Sequence, residues 1–240
     1  MKLKKVNVIA GLLGVFLISL GLSSCFAQHI KANGDVVSEE RRIGSFEAIE
    51  VGGAFEVMLR QGSSVSCVVE ADANLMEYIV TRVQGNTLKV YQEKGFKNAE
   101  LMKLYITFVD LEGIEISGAA EIKGEETFTL DKLHLEASGA SEIELKLQLK
   151  VLDVNISGAS EVELSGSADE LKGGFSGASE FEAYGLRAKR ARIESSGSAD
   201  VEISVSDELN IVASGASSVD YKGEPSLTKN VSGAADVDGH

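Results

Sequence analysis

Tryptophan is absent from the sequence, proline occurs once, at Pro225, and aromatic residues make up only 6% of the chain. The lack of aromatic side chains argues against a stacking platform for sugar rings. The lack of proline, and of any Ser/Pro-rich run, leaves no linker within the body of the chain. Histidine is nearly as scarce: His29 precedes the first strand, His240 is terminal, and His134 falls on the polar face of a strand. No zinc spacing, glycine-rich phosphate loop or serine elbow is present. Cations are outnumbered by acids, 23 against 37, for a net charge of −14. Such a surface repels nucleic acid and anionic headgroups and suits cations, basic partners or neutral glycans.

The two cysteines have different surroundings. Lys2, Lys4 and Lys5 precede an uncharged apolar stretch, Val8 to Leu22, which ends in Leu22-Ser23-Ser24-Cys25. The stretch is short for a stable membrane span and ends in small residues, as a signal peptide does. Its last four residues resemble a bacterial lipobox, which implies cleavage before Cys25, lipidation of that residue and an outer-membrane lipoprotein, on the periplasmic or cell-surface side. Ordinary secretion with cleavage after Ala27 is the alternative. Loss of residues 1–24 removes three lysines and no acid, taking the charge from −14 to −17. With Cys25 lipidated, Cys67 has no intrachain partner. Lying in Val65-Ser66-Cys67-Val68-Val69, it reads as a small buried hydrophobe. Residues 25–35 read as a tether.

What the sequence has in abundance is one motif. SGAAEI, SGASEI, SGASEV, SGASEF, SGSADV, SGASSV and SGAADV begin at Ser117, Ser138, Ser157, Ser176, Ser196, Ser214 and Ser232. Their spacings are 21, 19, 19, 20, 18 and 18 residues, and Gly53-Ala54-Phe55-Glu56-Val57 is a weaker upstream copy. Between copies the pattern alternates with period two: Leu152, Val154 and Ile156 share one face, Asp153 and Asn155 the other. After the Ser157-Gly158-Ala159 corner, Val162 and Leu164 oppose Glu161 and Glu163. Two strands and a variable corner per roughly 20 residues suit one coil of an all-β parallel β-helix, stacked at the strand spacing of about 4.8 Å. Glycine at the corner fits a positive backbone dihedral. Residues 111–240 form the repeat part. Residues 36–110 read as a less regular β segment that caps the open end. Within it Ala73 to Val80 is expected to be a short helix capped by Asp72, and Gly85-Asn86 a turn.

Arg42-Ile43-Gly44-Ser45-Phe46-Glu47-Ala48-Ile49-Glu50-Val51, then Gly53-Ala54-Phe55-Glu56-Val57, Gln61-Gly62 and the Ser-Gly-Ala-Ser-Glu copies resemble the adhesin head GIN domain family of Bacteroidetes-like bacteria. The likeness covers roughly residues 40–235. It implies a right-handed β-helix-like solenoid and an adhesion-type role. No C-terminal membrane-barrel segment is seen, so the chain is not expected to be an autotransporter itself.

The acidic position of the motif is the leading candidate face. Glu121, Glu142, Glu161, Glu180, Asp200 and Asp236 should form one column, interrupted by Ser218. Like charges about 4.8 Å apart repel by about 0.9 kcal/mol per pair even in water, so the column either fans into solvent or recruits cations. No cofactor is expected, and calcium is the one weak candidate, since it accepts carboxylate oxygens in flexible geometry. A second candidate is an anionic-ligand patch at Arg190 and Arg192, beside Arg187 and Lys189. The repeats vary too little in length to suggest a catalytic insertion, so the chain reads as a non-catalytic binding module for glycan or envelope protein. An envelope scaffold, self-associating through coil edges, and a polysaccharide-acting enzyme remain the alternatives.

Overall fold

A computed structural model describes residues 29–99 and 101–240. Cys25 and the signal segment lie outside them. The architecture is a parallel β-solenoid. Each coil carries a strand before the Ser-Gly corner and a strand after it, and each strand pairs in parallel with its counterpart one coil away. Ahead of the corner, Ile114 pairs with Leu135, Leu135 with Val154, Val154 with Gly173 and Gly173 with Ile193. Beyond it, Ile122 pairs with Ile143, Ile143 with Val162, Val162 with Phe181 and Phe181 with Val201. The period-two alternation in each strand thus becomes inward ladders, and one continuous apolar core runs from Phe46 to Val237. Where the ladder holds Gly173 the ring of Phe175 fills the gap, and a Cβ there would lie 2.4 Å from that ring.

The corner is built by backbone stacking on backbone. Gly53, Gly118, Gly139, Gly158, Gly177, Gly197, Gly215 and Gly233 all have positive φ, from 75° to 118°. The carbonyl of each but Gly233, the last, accepts a hydrogen bond from the residue after the next glycine, as in Ala159 N–H to Gly139 O at 2.8 Å. A Cβ on Gly158 would lie 2.5 Å from that same oxygen. The motif therefore needs glycine twice over, for the dihedral and for the approach.

Gly118 sits against Gly53 in the same manner, although residues 54–112 separate their strands. The weak upstream copy is thus the first coil: Ala48–Gly53 pairs with Gly113–Gly118. The intervening chain covers the other side of that coil. Thr87–Gln92 and Met102–Phe108 pair with it in parallel. Ser66–Asp72 then runs antiparallel to Met102–Phe108, and Val36–Glu40 antiparallel to Ser66–Asp72. Ile30–Lys31, at the start of the described chain, pairs with Phe96–Lys97.

One sequence expectation is overturned. Residues 73–80 form only a single 3-10 turn, Met76–Tyr78, after which Ile79–Gln84 runs as an antiparallel strand against Thr87–Gln92, closed at Gly85-Asn86. Asp72 does not cap the turn with its side chain. Its buried carboxylate accepts the Gly34 N–H at 2.5 Å. Strand pairing available on the exposed edge of the Thr87–Gln92 strand outweighs the helical preference of so short a segment.

Candidate functional site

The strand after each corner alternates inward aliphatic with outward acidic residues. Register places Glu56, Glu121, Glu142, Glu161, Glu180, Asp200, Ser218 and Asp236 in one column. The candidate acidic residues are therefore brought together as the spacing anticipates, with Ser218 as the interruption. A second column stands two residues further along the same strands: Glu144, Glu163, Glu182, Glu202, Asp220 and Asp238. The motif alone does not include it, but the same i, i+2 alternation that assigns the first column to the surface assigns the second.

Among the described residues, the two columns make an acidic face whose ion pairs lie at its ends. Near the first coil Lys103 bonds Glu56, and Lys123 bonds Glu121 and lies 4.0 Å from Glu142. At the far end His240 Nε2 lies 3.2 Å from Asp220. Between them Glu161, Glu163, Glu180, Glu182, Asp200 and Glu202 have no ion pair among the described residues. Partial desolvation holds the Glu182 carboxyl above the usual range, and the neighbouring carboxylates Glu180, Glu161 and Glu163 push the same way. The carboxylates form ladders rather than clusters. Among the described residues no group of three or more His, Cys, Asp or Glu side chains converges as a metal cage.

Arg190 and Arg192 lie on a different face, in the strand before the corner. In register Arg190 stands between Glu170 and Glu208, and Arg192 between Lys172 and Asn210. Arg192 donates to Glu194 through Nε at 3.1 Å and through an Nη at 2.7 Å. The patch thus shares its face with acids. His134, exposed as expected, lies 3.9 Å from Glu136 and 3.7 Å from Asp153. Cys67 is fully buried, and burial pushes its thiol up to about 11 against the opposing pull of Arg41. A thiol in that state is a core residue, not a nucleophile.

The serines of the motif serve the fold. Ser138 Oγ lies 3.4 Å from the Ile116 carbonyl one coil away. The fourth motif position points inward: Ser160 donates to the Ser157 carbonyl at 3.1 Å, and Ser141 to Ser160 Oγ at 3.0 Å.

Comparison with known proteins agrees with this architecture. Residues 45–225 match the family described as "Putative auto-transporter adhesin, head GIN domain". Three solved structures superpose on the chain along their whole length. A putative adhesin from Bacteroides fragilis NCTC 9343 has 23% identity and a TM-score of 0.82, covering 88% of this chain and 100% of that one. One from Parabacteroides merdae ATCC 43184 has 21% identity and a TM-score of 0.75, covering 89% and 100%. A putative lipid binding protein from Parabacteroides distasonis ATCC 8503 has 21% identity and a TM-score of 0.72, with the same coverage. At these identities the likeness shows the fold. No curated protein matches. The family match spans the first glycine corner and nearly every coil beyond it, and the chain belongs to the head GIN domain family.

Proposed function

We propose that this chain is an exported, non-catalytic binding module of adhesion type, held at the outer membrane through lipid on Cys25, that presents its acidic face to a glycan or protein partner. The observation that carries this reading is the pair of adjacent carboxylate columns, which from Glu161 to Glu202 have no ion pair among the described residues. A flat strand face of one charge sign, repeated from coil to coil, offers many equivalent weak contacts, which suits an extended partner. The name of the family and the adhesin names of its structural relatives support an adhesion role.

The test is binding of the mature chain to a panel of neutral and basic glycans and to an immobilised cationic protein, with calcium and with chelator. Capture that falls as salt rises, persists in chelator and is lost when Glu161, Glu163, Glu180 and Glu182 are all changed to Gln is the expected result. Binding unchanged in that variant sinks the acidic-face reading, and binding abolished by chelator makes the face a calcium site. Cys25→Ala should release the protein from the membrane fraction.

A further inference from the structure

The two ends of the coil stack are finished differently. The first coil is covered by the strands Thr87–Gln92 and Met102–Phe108. In the last coil Ser226–Val231 lies on Asp200–Ala213, and Asp236–Gly239 on Ser218–Lys222. Among the described residues no strand pairs on the far side of that coil. Such an edge is a template for pairing with another chain.

The core ladder changes character there. One inward position ahead of the corner is held by Ile114, Leu135, Val154, Gly173, Ile193 and Ile211, and then by Lys229. From that inward position Lys229 reaches across the end of the core to the strand beyond the corner. Its Nζ donates to the Val237 carbonyl at 3.2 Å. In the facing ladder Tyr221 stands under Gly239, and a Cβ on that glycine would lie 2.6 Å from the Tyr221 ring. The ring therefore takes the space of the last inward side chain.

The Val237 carbonyl is one that an added strand would use. Asp236 and His240 donate their N–H groups back to Ser217 and Tyr221, each at 2.9 Å. Alternation along a parallel strand thus turns the N–H and C=O of Val237 to the open side. Both are already taken, the C=O by Lys229 and the N–H by Asp236 Oδ1 at 3.0 Å. A further coil stacked there, from this chain or another, would break these bonds and enclose the ammonium above Ile211. Lys229 has no ion pair among the described residues, so the enclosed charge would be uncompensated, which is strongly unfavourable.

We propose that Lys229 closes this end of the solenoid against a second copy of this chain. Every copy carries the same edge, so two of them can meet end to end about a twofold axis. Val231, 39% exposed on that edge, is apolar surface such a contact would cover. An inward-pointing charge on the last ladder is what opposes it. The sides of the solenoid are then what a partner can reach. This inference goes beyond the acidic-face reading and does not depend on it.

The test is sedimentation velocity over a concentration series on the mature chain carrying Cys25→Ala, which removes the lipid. The parent should sediment as a monomer throughout. Lys229→Leu and Lys229→Met should each shift to twice the mass as concentration rises, and Lys229→Arg should remain monomeric. Lys146→Leu makes the same change on an outward, exposed position in the middle of the stack and should also remain monomeric. Ser232 donates its N–H back to the Ala213 carbonyl, so the Val231 N–H faces the open side. Adding Val231→Pro to Lys229→Leu removes that donor and should restore the monomer. A parent that already dimerises would overturn the proposal. So would Leu and Met variants that stay monomeric with parent-like thermal melts, equal association of Lys146→Leu, or a dimer that survives Val231→Pro.

Discussion

Each coil turns at two very different corners. At the glycine corner the chain repeats itself almost atom for atom: glycine over glycine at positive φ, with the carbonyl of one coil bonded to the amide of the next. At the opposite corner coil length varies, register shifts between Ala183 and Arg187, and the stacked residues alternate in charge. There Asp131 meets Lys150 and Asp169 meets Lys189, each at 2.7 Å. One corner is held by backbone packing and tolerates only one residue type. The other is held by side chains in solvent and tolerates insertions. It is at that second corner that the solenoid lengthens or shortens a coil without breaking its stack.

The comparison breaks most severely at the glycine column. Gly158→Ala places a Cβ 2.5 Å from the Gly139 carbonyl and a side chain at φ +78°, so both the clash and the dihedral count against it. A loss of about 2–5 kcal/mol is expected in denaturant unfolding. Gly174→Ala is the matched control. Its backbone dihedral is ordinary, and its Cβ meets only the movable end of Asn155, so it should cost less than about 1 kcal/mol. Equal losses at the two sites would mean that stacking of the corner backbone is not what fixes the coil.

A smaller effect separates two serines at the same motif position. Ser160 is buried and bonded both to the Ser157 carbonyl and to Ser141. Ser160→Ala should cost about 1 kcal/mol. Ser179 is equally buried, but its hydroxyl finds no partner among the described residues. Ser179→Ala should be neutral or slightly stabilising, since an unpartnered buried hydroxyl only adds a desolvation cost. The same pair of unfolding curves reads both, and a larger loss at Ser179 than at Ser160 would refute this account of the column.

Much of this was legible in the sequence, and the two corners explain the rest. The seven motif copies announce the glycine corner, because backbone stacking demands the same residues every time. The period-two pattern between them announces the inward ladders, and with the motif spacing it sets Glu121, Glu142, Glu161, Glu180, Asp200 and Asp236 in one column. The second column, from Glu144 to Asp238, was within reach of the same rule. The opposite corner has no motif, since exposed side chains meet no strict packing demand there. Its traces are the falls in spacing from 21 to 19, at the register shift between Lys123 and Thr127, and from 20 to 18, at the step by Tyr184. Residues 73–80 were misread as helix because their partner strand, Thr87–Gln92, takes its place through pairing with Ala48–Gly53, far away in sequence.

The smallest effects concern pH, and they set the acidic face against the alternating corner. Glu182 is held above its ordinary value of 4.5 by desolvation and by neighbouring carboxylates. A raised carboxyl contributes stability that is complete below its unfolded value and is lost as pH rises through the folded one. Asp131 and Asp169 are held below their ordinary 3.8, first by the hydrogen bonds from Lys150 and Lys189 and then by the charges of those lysines. Their contribution is present above 3.8 and is lost as pH falls through the folded value. Melting temperature should therefore rise slightly as pH drops from 7 toward 4.5, then fall below 3.8. Glu182→Gln should flatten the upper limb alone, and Asp169→Asn the lower limb alone. If Glu182→Gln instead flattened the lower limb, crowding of carboxylates on the acidic face would not be what sets its upper one. Salt screens the lysine pairs and the repulsion among the carboxylates, so that part of each limb should shrink in high salt. The glycine-column loss should not, because nothing in that contact is charged.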